Sequence, residues 1–287
     1  MVAVIIPYFR GRNLIDAAVE SVINQTDNQW HLYIVDDGSQ DGNEEHLRSY
    51  SGDQVTVLIH EENIGLYARL RETIDKHIKC EWVTILMQDD RLKIDYVEYA
   101  FSVSSEYPEV GAFWFEYDII NVKGEVIKPG IDTGRREILS PSESWYSVLD
   151  RGCIWSIYGS FTRSSIFQSH PFRIDLPHCG DYEWLLRFLN EENMIYVERP
   201  SLYMMSHKGQ ASEKNLRMGI DLIEQLKVIN DMIVAYKPDV LPSKILRRRL
   251  YIASVAGRRA CRRFLHGEVR GSFVFLKIMI NALRSVR

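Results

Sequence analysis

Two pairs of adjacent aspartates close apolar runs in the first part of the chain. Leu32-Tyr33-Ile34-Val35 leads into Asp36-Asp37-Gly38-Ser39, and Val83-Thr84-Ile85-Leu86 leads into Met87-Gln88-Asp89-Asp90. Strands that finish in carboxylates gather negative charge at one edge of a sheet, the edge where open α/β sheets bind their ligands. Such crowding persists only when a cation or a hydrogen-bonding ligand offsets the repulsion. The pattern points to a metal-dependent site for a phosphorylated ligand. A third acidic position, Asp181, opens a helical stripe of Trp184, Leu185, Phe188 and Leu189, far in sequence from the first cluster.

These side chains need elements to hold them. Val2–Ile6, Leu32–Val35, Val55–Ile59 and Val83–Leu86 read as strands. Helical stripes lie between them over Leu14–Val22, Glu44–Tyr50 and Leu66–Ile78, with Asn13 placed to cap the first. This alternation predicts an α/β fold with a doubly wound, mainly parallel, Rossmann-like sheet and right-handed crossovers. After Asp90 the pattern loosens. Tyr96–Ser105, Pro141–Leu149 and Asp181–Glu191 read as helices, Val110–Ile120 and Met194–Val197 as strands, and Val122–Glu125 as a hairpin turn. From about Lys214 the signal is helical to the end, interrupted at Lys237-Pro238 and Leu241-Pro242.

The chain has 287 residues, 46% of them hydrophobic and 26% charged, which is ample for a core. No apolar run reaches about 18 residues, so a membrane-spanning helix is not expected. The opening Met1-Val2-Ala3-Val4 has no basic start and reads as strand rather than signal peptide. Cys80, Cys153, Cys179 and Cys261 are scattered, the pattern of reduced thiols in a cytosolic protein, with Cys153 and Cys179 read as small buried residues. The net charge of -4 hides an asymmetry: from Lys244 to Arg287 twelve basic residues face a single acid, Glu268. That tail is expected to meet an anionic membrane surface, to pack on the rest of the chain, or to join two copies as a homo-oligomer. No reader motif for nucleic acid accompanies it.

Read in order, the motifs resemble those of family 2 glycosyltransferases, which have the GT-A fold. Val4-Ile5-Ile6-Pro7-Tyr8-Phe9 is similar to the family's opening strand, Ser21-Val22-Ile23-Asn24-Gln25-Thr26 to its S-V-L-N-Q-T helix end, and Val35–Gly42 to V-D-D-G-S-x-D-G. Asn63-Ile64-Gly65-Leu66 resembles N-x-G-L, Gln88-Asp89-Asp90 the D-x-D region, Gly180-Asp181-Tyr182-Glu183 the E-D-x-E/D helix, and His207–Ser212 the H-x-G-x-x-S segment. Met87 stands where many relatives have another aspartate, and Gly180 where they have glutamate.

The resemblance implies a GT-A domain over residues 1–212, with a donor half (1–93) and an acceptor half (94–212), followed by a basic helical extension over 213–287. It implies inverting transfer of a sugar from a nucleotide diphosphate, UDP foremost, to a glycan or polyprenyl-linked glycan in bacterial surface polysaccharide assembly. The enzyme would be cytoplasmic and peripheral at the inner membrane face. Pro7, Phe9, Asp37, Asn63, Gly65, Arg69 (or Arg71) and Asp89 would bind the nucleotide. Asp89, Asp90 and His207 would hold Mn²⁺ or Mg²⁺, with the division between Asp89 and Asp90 open. Asp181 would be the general base, and at most two of Trp114, Tyr117, Trp145, Trp155 and Tyr158 would meet the acceptor. Two rival readings stand beside this one: a nucleotidyltransferase, which should show a glycine-rich loop where Pro7-Tyr8-Phe9-Arg10 stands, and a non-catalytic carbohydrate- or membrane-binding subunit. No G-x-G-x-x-G follows Ile6, which disfavours a dinucleotide-dependent oxidoreductase.

Overall fold

The computed structural model describes residues 1–207, 210–236 and 242–284. Along residues 1–93 run β1 (Val2–Tyr8), α1 (Ile15–Ile23), β2 (Trp30–Asp36), α2 (Glu44–Arg48), β3 (Val55–Ile59), α3 (Leu66–His77), β4 (Trp82–Ile85) and β5 (Arg91–Leu92). Next come α4 (Tyr96–Glu106), β6 (Ala112–Ile120), β7 (Val126–Lys128), β8 (Arg136–Leu139), α5 (Pro141–Arg151), β9 (Phe161–Arg163), α6 (Ser164–Ser169), α7 (Gly180–Glu191) and β10 (Met194–Met205). The chain then continues through α8 (Ala211–Met218), α9 (Ile220–Tyr236), α10 (Pro242–Leu265) and α11 (Val269–Arg284).

One mainly parallel sheet runs in the order β3-β2-β1-β4-β9-β6-β10-β5. β1 pairs in parallel with β2 and β4, and β2 with β3; Tyr8, Asp36 and Ile59 end side by side, while β4 ends at Ile85 beside Ile5 and its chain runs on toward the same edge. The short β9 runs antiparallel between β4 and β6 and thereby returns β6 to the direction of β4. β10 lies parallel to β6, so its outgoing end reaches the same edge as the acidic tips.

Period-two alternation sorts the strand residues onto two cores. Val2, Val4 and Ile6 pack with Ala18, Val22 and Tyr96 on one face. Ala3, Ile5, Val83 and Ile85 pack with Tyr67, Leu70, Trp184 and Leu185 on the other. The second core also takes in Leu222, Ile229, Ile252, Ala256, Phe275 and Ile278, so α9–α11 are built onto the face covered by α7.

Two sequence expectations are corrected. Asn13 does not cap α1: the helix begins at Ile15 after a Leu14 cap that makes no side-chain bond, because a turn closed by Leu14 N–H to the Gly11 carbonyl (2.8 Å) precedes it. The strand expected at Met194–Val197 runs on to Met205, past Pro200, because β6 and β5 supply partners on both sides and its register shifts absorb the proline. Lys208 and Gly209, and the interruption at residues 237–241, lie outside the described residues.

Candidate active site

Asp36 and Asp37 end β2 with different duties. Asp36 is buried and accepts from Ser39 N–H (3.0 Å) and Ser39 Oγ (2.5 Å), which closes the Asp37-Gly38-Ser39 turn. Burial raises its carboxyl above the ordinary range. Asp37 turns instead to the next strand–helix junction. Its Oδ1 accepts from Ile64 N–H (3.1 Å) and Arg69 Nε (2.9 Å), its Oδ2 from Gly65 N–H (2.8 Å), and its carbonyl from Asn63 Nδ2 (3.0 Å). Gly65 holds φ +90° as the cap of α3, a left-handed conformation that turns its N–H onto the carboxylate. Arg69 is buried, and its remaining nitrogens are held by Glu72 and the Glu62 carbonyl. Asn63, Gly65 and Arg69, through two side chains and a backbone N–H, thus form one lock around Asp37, which leaves Oδ2 with spare acceptor capacity. Arg71 faces outward toward Asp75.

Pro7 is buried at the end of β1, whereas Phe9 is 42% exposed beyond it, with the Arg10 guanidinium 5.1 Å from the ring centre. Gln88 clips this strand end to the second acidic turn by accepting Phe9 N–H at 2.9 Å.

The second pair is also divided. Asp90 is buried and accepts Met205 N–H at 2.9 Å, which pins the outgoing end of β10 to this turn. Burial, reinforced by the neighbouring Asp89 charge, pushes its carboxyl up to about 8. Asp89 turns the other way. Its Oδ2 lies 3.1 Å from His207 Nε2, two residues beyond Met205. Among the described residues no group of three His, Cys, Asp or Glu side chains could hold an ion. The donor set on offer is the carboxylate and imidazole of Asp89 and His207, an oxygen–nitrogen pair that suits Mn²⁺ or Mg²⁺ when ligand phosphates supply the other positions.

Asp181 stands at the head of α7, and its carboxylate accepts from Tyr182 N–H at 2.7 Å. Its own N–H donates to Tyr67 Oη at 3.1 Å, and Tyr67 Oη lies 3.3 Å from Tyr158 Oη. Burial raises the carboxyl above its ordinary range against the hydrogen bond from Tyr182 and the field of His178. A methyl group built on Gly180 would sit 2.5 Å from the Tyr67 ring, so the aromatic ring occupies the space a glutamate would need. Tyr67 was missed in the sequence reading; its signal is its place on the first turn of α3, directly after Asn63-Ile64-Gly65-Leu66.

Trp114 and Trp145 are buried in the core, and Tyr117 packs on the opposite face. Trp155 and Tyr158 are partly exposed on the Asp181 side. Cys179 is buried, but Cys153 is exposed, a correction that follows from the turn at Gly152 (φ +90°), where the chain leaves α5.

The sequence model of Glycosyl transferase family 2 matches residues 3–145. An uncharacterized glycosyltransferase of Rickettsia prowazekii is 31% identical over 221 residues, covering 75% of this chain and 67% of its own. The Escherichia coli UDP-Glc:α-D-GlcNAc-diphosphoundecaprenol β-1,3-glucosyltransferase WfgD is 24% identical over 218 residues, 75% of this chain and 81% of that protein. Some relatives are much longer: the chain spans 31% of the Streptococcus pneumoniae glycosyltransferase GlyA. Among solved structures, Staphylococcus aureus TarS 1–349 in complex with UDP-GlcNAc superposes with a TM-score of 0.62 at 13% identity, over 99% of this chain and 92% of that one.

Proposed function

The chain belongs to glycosyl transferase family 2 with the GT-A fold, and on that premise we propose that it moves a sugar, with inversion, from a UDP-linked donor to a glycan or polyprenyl-linked acceptor. The setting proposed is bacterial surface polysaccharide assembly, in keeping with WfgD, a β-1,3-glucosyltransferase acting on a diphosphoundecaprenol-linked sugar.

The observation that carries this reading is that one helix start serves both halves of the reaction. Ile64 and Gly65 at the entry to α3, with Arg69, lock Asp37 on the donor side. Tyr67, between them, faces Asp181. Donor recognition and the base are therefore set by the same turn of backbone.

In this reading Phe9 lies against the base and Asp37 Oδ2 accepts a hydrogen bond from it. Asp89 and His207 would hold a divalent cation, which would supply charge neutralisation at the diphosphate leaving group. Asp181 takes the proton from the acceptor hydroxyl as that oxygen attacks the anomeric carbon. The bond to the diphosphate breaks, and its electron pair leaves with the phosphate oxygen. A raised proton affinity suits Asp181 to this task, since a base works best when its pKa lies nearer the working pH.

The tail adds a proposed docking face. Phe264, Leu265, Phe273, Val274, Ile280 and Leu283 are exposed on α10 and α11 beside Arg258, Arg262 and Lys277. That combination suits the surface of an anionic bilayer, where a lipid-linked acceptor would lie. No helix among the described residues is long and apolar enough to cross a membrane.

Thermal unfolding with UDP, GDP and other nucleoside diphosphates, with and without Mn²⁺, tests the donor. The expected result is a rise in the midpoint with UDP that grows when Mn²⁺ is present, as linkage requires of a ligand bound to the folded state. Equal shifts from every nucleotide, or none, would remove the UDP assignment. A product of retained anomeric configuration would remove inversion.

A further inference from the structure

The sheet face that carries Asp181 ends in a pocket for which the transfer reading names no ligand. Along β6 the side chains on this face are Ala112, Trp114 and Glu116, and along β10 they are Met194 and Tyr196. Ala112, Trp114 and Met194 are core. One step further toward the carboxyl ends, Glu116 and Tyr196 line a cavity of about 570 Å³ with Trp155, Arg151, Ser144 and Glu137. That volume lies within the roughly 300–1,000 Å³ usual for small-molecule sites.

Its chemistry is mixed in a particular way. The Tyr196 phenol donates to the Glu116 carboxylate, and burial together with that carboxylate keeps the phenol protonated. The Trp155 and Tyr196 rings lie 6.4 Å apart at 51°, so the pocket has a flat apolar wall beside a carboxylate. Ser144 is 1% exposed, and its hydroxyl has no hydrogen-bond partner within the protein. Glu137 is paired with Arg135, which leaves Glu116 and Arg151 as opposite charges facing one space.

A phosphate is disfavoured there by Glu116, and a cation by Arg151. A neutral ring with an apolar face and a rim of hydroxyls suits this wall: the apolar face lies on an aromatic ring, and the hydroxyls donate to Glu116.

The position is as telling as the composition. Trp155 is three residues before Tyr158, whose hydroxyl lies 3.3 Å from that of Tyr67, the group that receives Asp181 N–H. Three residues of extended chain span at most about 11 Å. Trp155 therefore lies within about 11 Å of Tyr158 along the backbone, and the pocket shares the sheet face on which Tyr67, Tyr158 and α7 pack.

We infer that this pocket binds a neutral pyranose ring of the acceptor, with Trp155 against the ring's apolar face and Glu116, oriented by Tyr196, accepting from its hydroxyls. The inference rests on the glycosyl-transfer reading and adds to it the acceptor class and the residues that select it.

Saturation-transfer NMR on the full chain with UDP present tests it, using methyl β-D-glucopyranoside and methyl N-acetyl-β-D-glucosaminide as probes. The expected result is transfer to ring protons of at least one glycoside in the wild type. It should fall about tenfold in Trp155→Ala and Glu116→Gln, the size expected for losing a charged hydrogen bond or a stacking face. The UDP-induced rise in unfolding midpoint should be unchanged in both variants. Should Trp155→Ala fail to fold, the isosteric Glu116→Gln decides alone. A wild type that binds UDP but neither glycoside, or glycoside signals unaltered in both variants, overturns the pocket and leaves the donor reading standing. A wild type that does not respond to UDP overturns the donor reading and this inference with it.

Discussion

Tyr67 and Asp181, 114 residues apart, meet where the Asp181 N–H donates to the Tyr67 phenol oxygen at 3.1 Å. The contact joins the first turn of α3 to the first turn of α7. It explains why Gly180 precedes the aspartate, since the Tyr67 ring fills the volume beside it. It also fixes one of the backbone donors that a helix start leaves free. Asp181 is thereby held on a rigid element, at the first turn of α7.

Asp181→Asn should abolish transfer, by about 100-fold or more if the side chain is the general base, while UDP affinity stays within a few-fold of wild type. Stability gives a second readout with a definite sign. Burial raises the carboxyl in the folded state, so between its unfolded and folded pKa values the folded protein binds the extra proton. The raised pKa favours folding at low pH, and that contribution is lost as pH rises through the folded value. At neutral pH Asp181→Asn should therefore unfold at the same temperature as wild type or higher. The acid limb of the wild-type rate profile should lie above the ordinary carboxylate range. Calorimetry and a pH–rate series check both; a variant with normal turnover would remove Asp181 from the base role.

Arg69→Ala should destabilise the fold by roughly 3 kcal/mol, the low end for breaking a buried ion pair, because Asp37 keeps its two backbone donors at Ile64 and Gly65. UDP affinity should fall as a consequence of the loosened Asp37. Urea unfolding measures the first effect and titration calorimetry the second. If UDP binding were lost with stability intact, Arg69 would be a direct phosphate ligand rather than the residue that positions Asp37.

Asp89 and Asp90 should separate cleanly. Asp89→Asn should remove the Mn²⁺-dependent part of UDP binding, since the substitution takes the charged oxygen away from the partner of His207. Asp90→Asn should keep most of it, because an amide oxygen can still accept Met205 N–H. Asp90→Ala leaves that N–H unpaired and should lower stability by about 1–3 kcal/mol. Calorimetric titration of UDP with and without Mn²⁺ distinguishes them, and metal dependence that follows Asp90 instead would exchange their duties.

The acidic strand tips could be read from sequence because strand periodicity and paired aspartates are local signals. Which carboxylate does what could not. Asp37 is locked by groups 27 to 32 residues further on, and Asp90 by an amide 115 residues away. Sequence offers Arg69 and Arg71 alike as nucleotide-binding candidates, and that Arg69 is the one paired with Asp37 shows only once the fold brings the two together. β9 has three residues, too few for a period, and exists because Trp82–Val83 and Ala112–Phe113 offer open edges on either side. The tail's charge was visible as a sum, but its division into inward and outward arginines depends on how α10 packs against α5 and α9.

That division makes the tail testable. Arg248 and Arg249 are buried and bonded to Gln225 and Asn230, and Arg259 is paired with Asp221 at 2.8 Å, so these three hold the helices to the body. Arg258 and Arg262 are exposed and flank an apolar groove of about 670 Å³ between α10 and α11, lined by Gly257, Cys261, Leu265, Met279 and Leu283. Each basic residue near an anionic bilayer contributes about 1 kcal/mol. The double substitution Arg258→Gln, Arg262→Gln should therefore weaken binding to phosphatidylglycerol vesicles by roughly 30-fold and leave the unfolding midpoint unchanged. Arg248→Gln should do the reverse, lowering stability while sparing vesicle binding. Rising salt should erase the difference between wild type and the double variant, since the Debye length shrinks to about 3 Å at 1 M. Flotation assays read the binding arms and thermal unfolding the stability arm, and equal flotation of wild type and double variant at low salt would dismiss the membrane face.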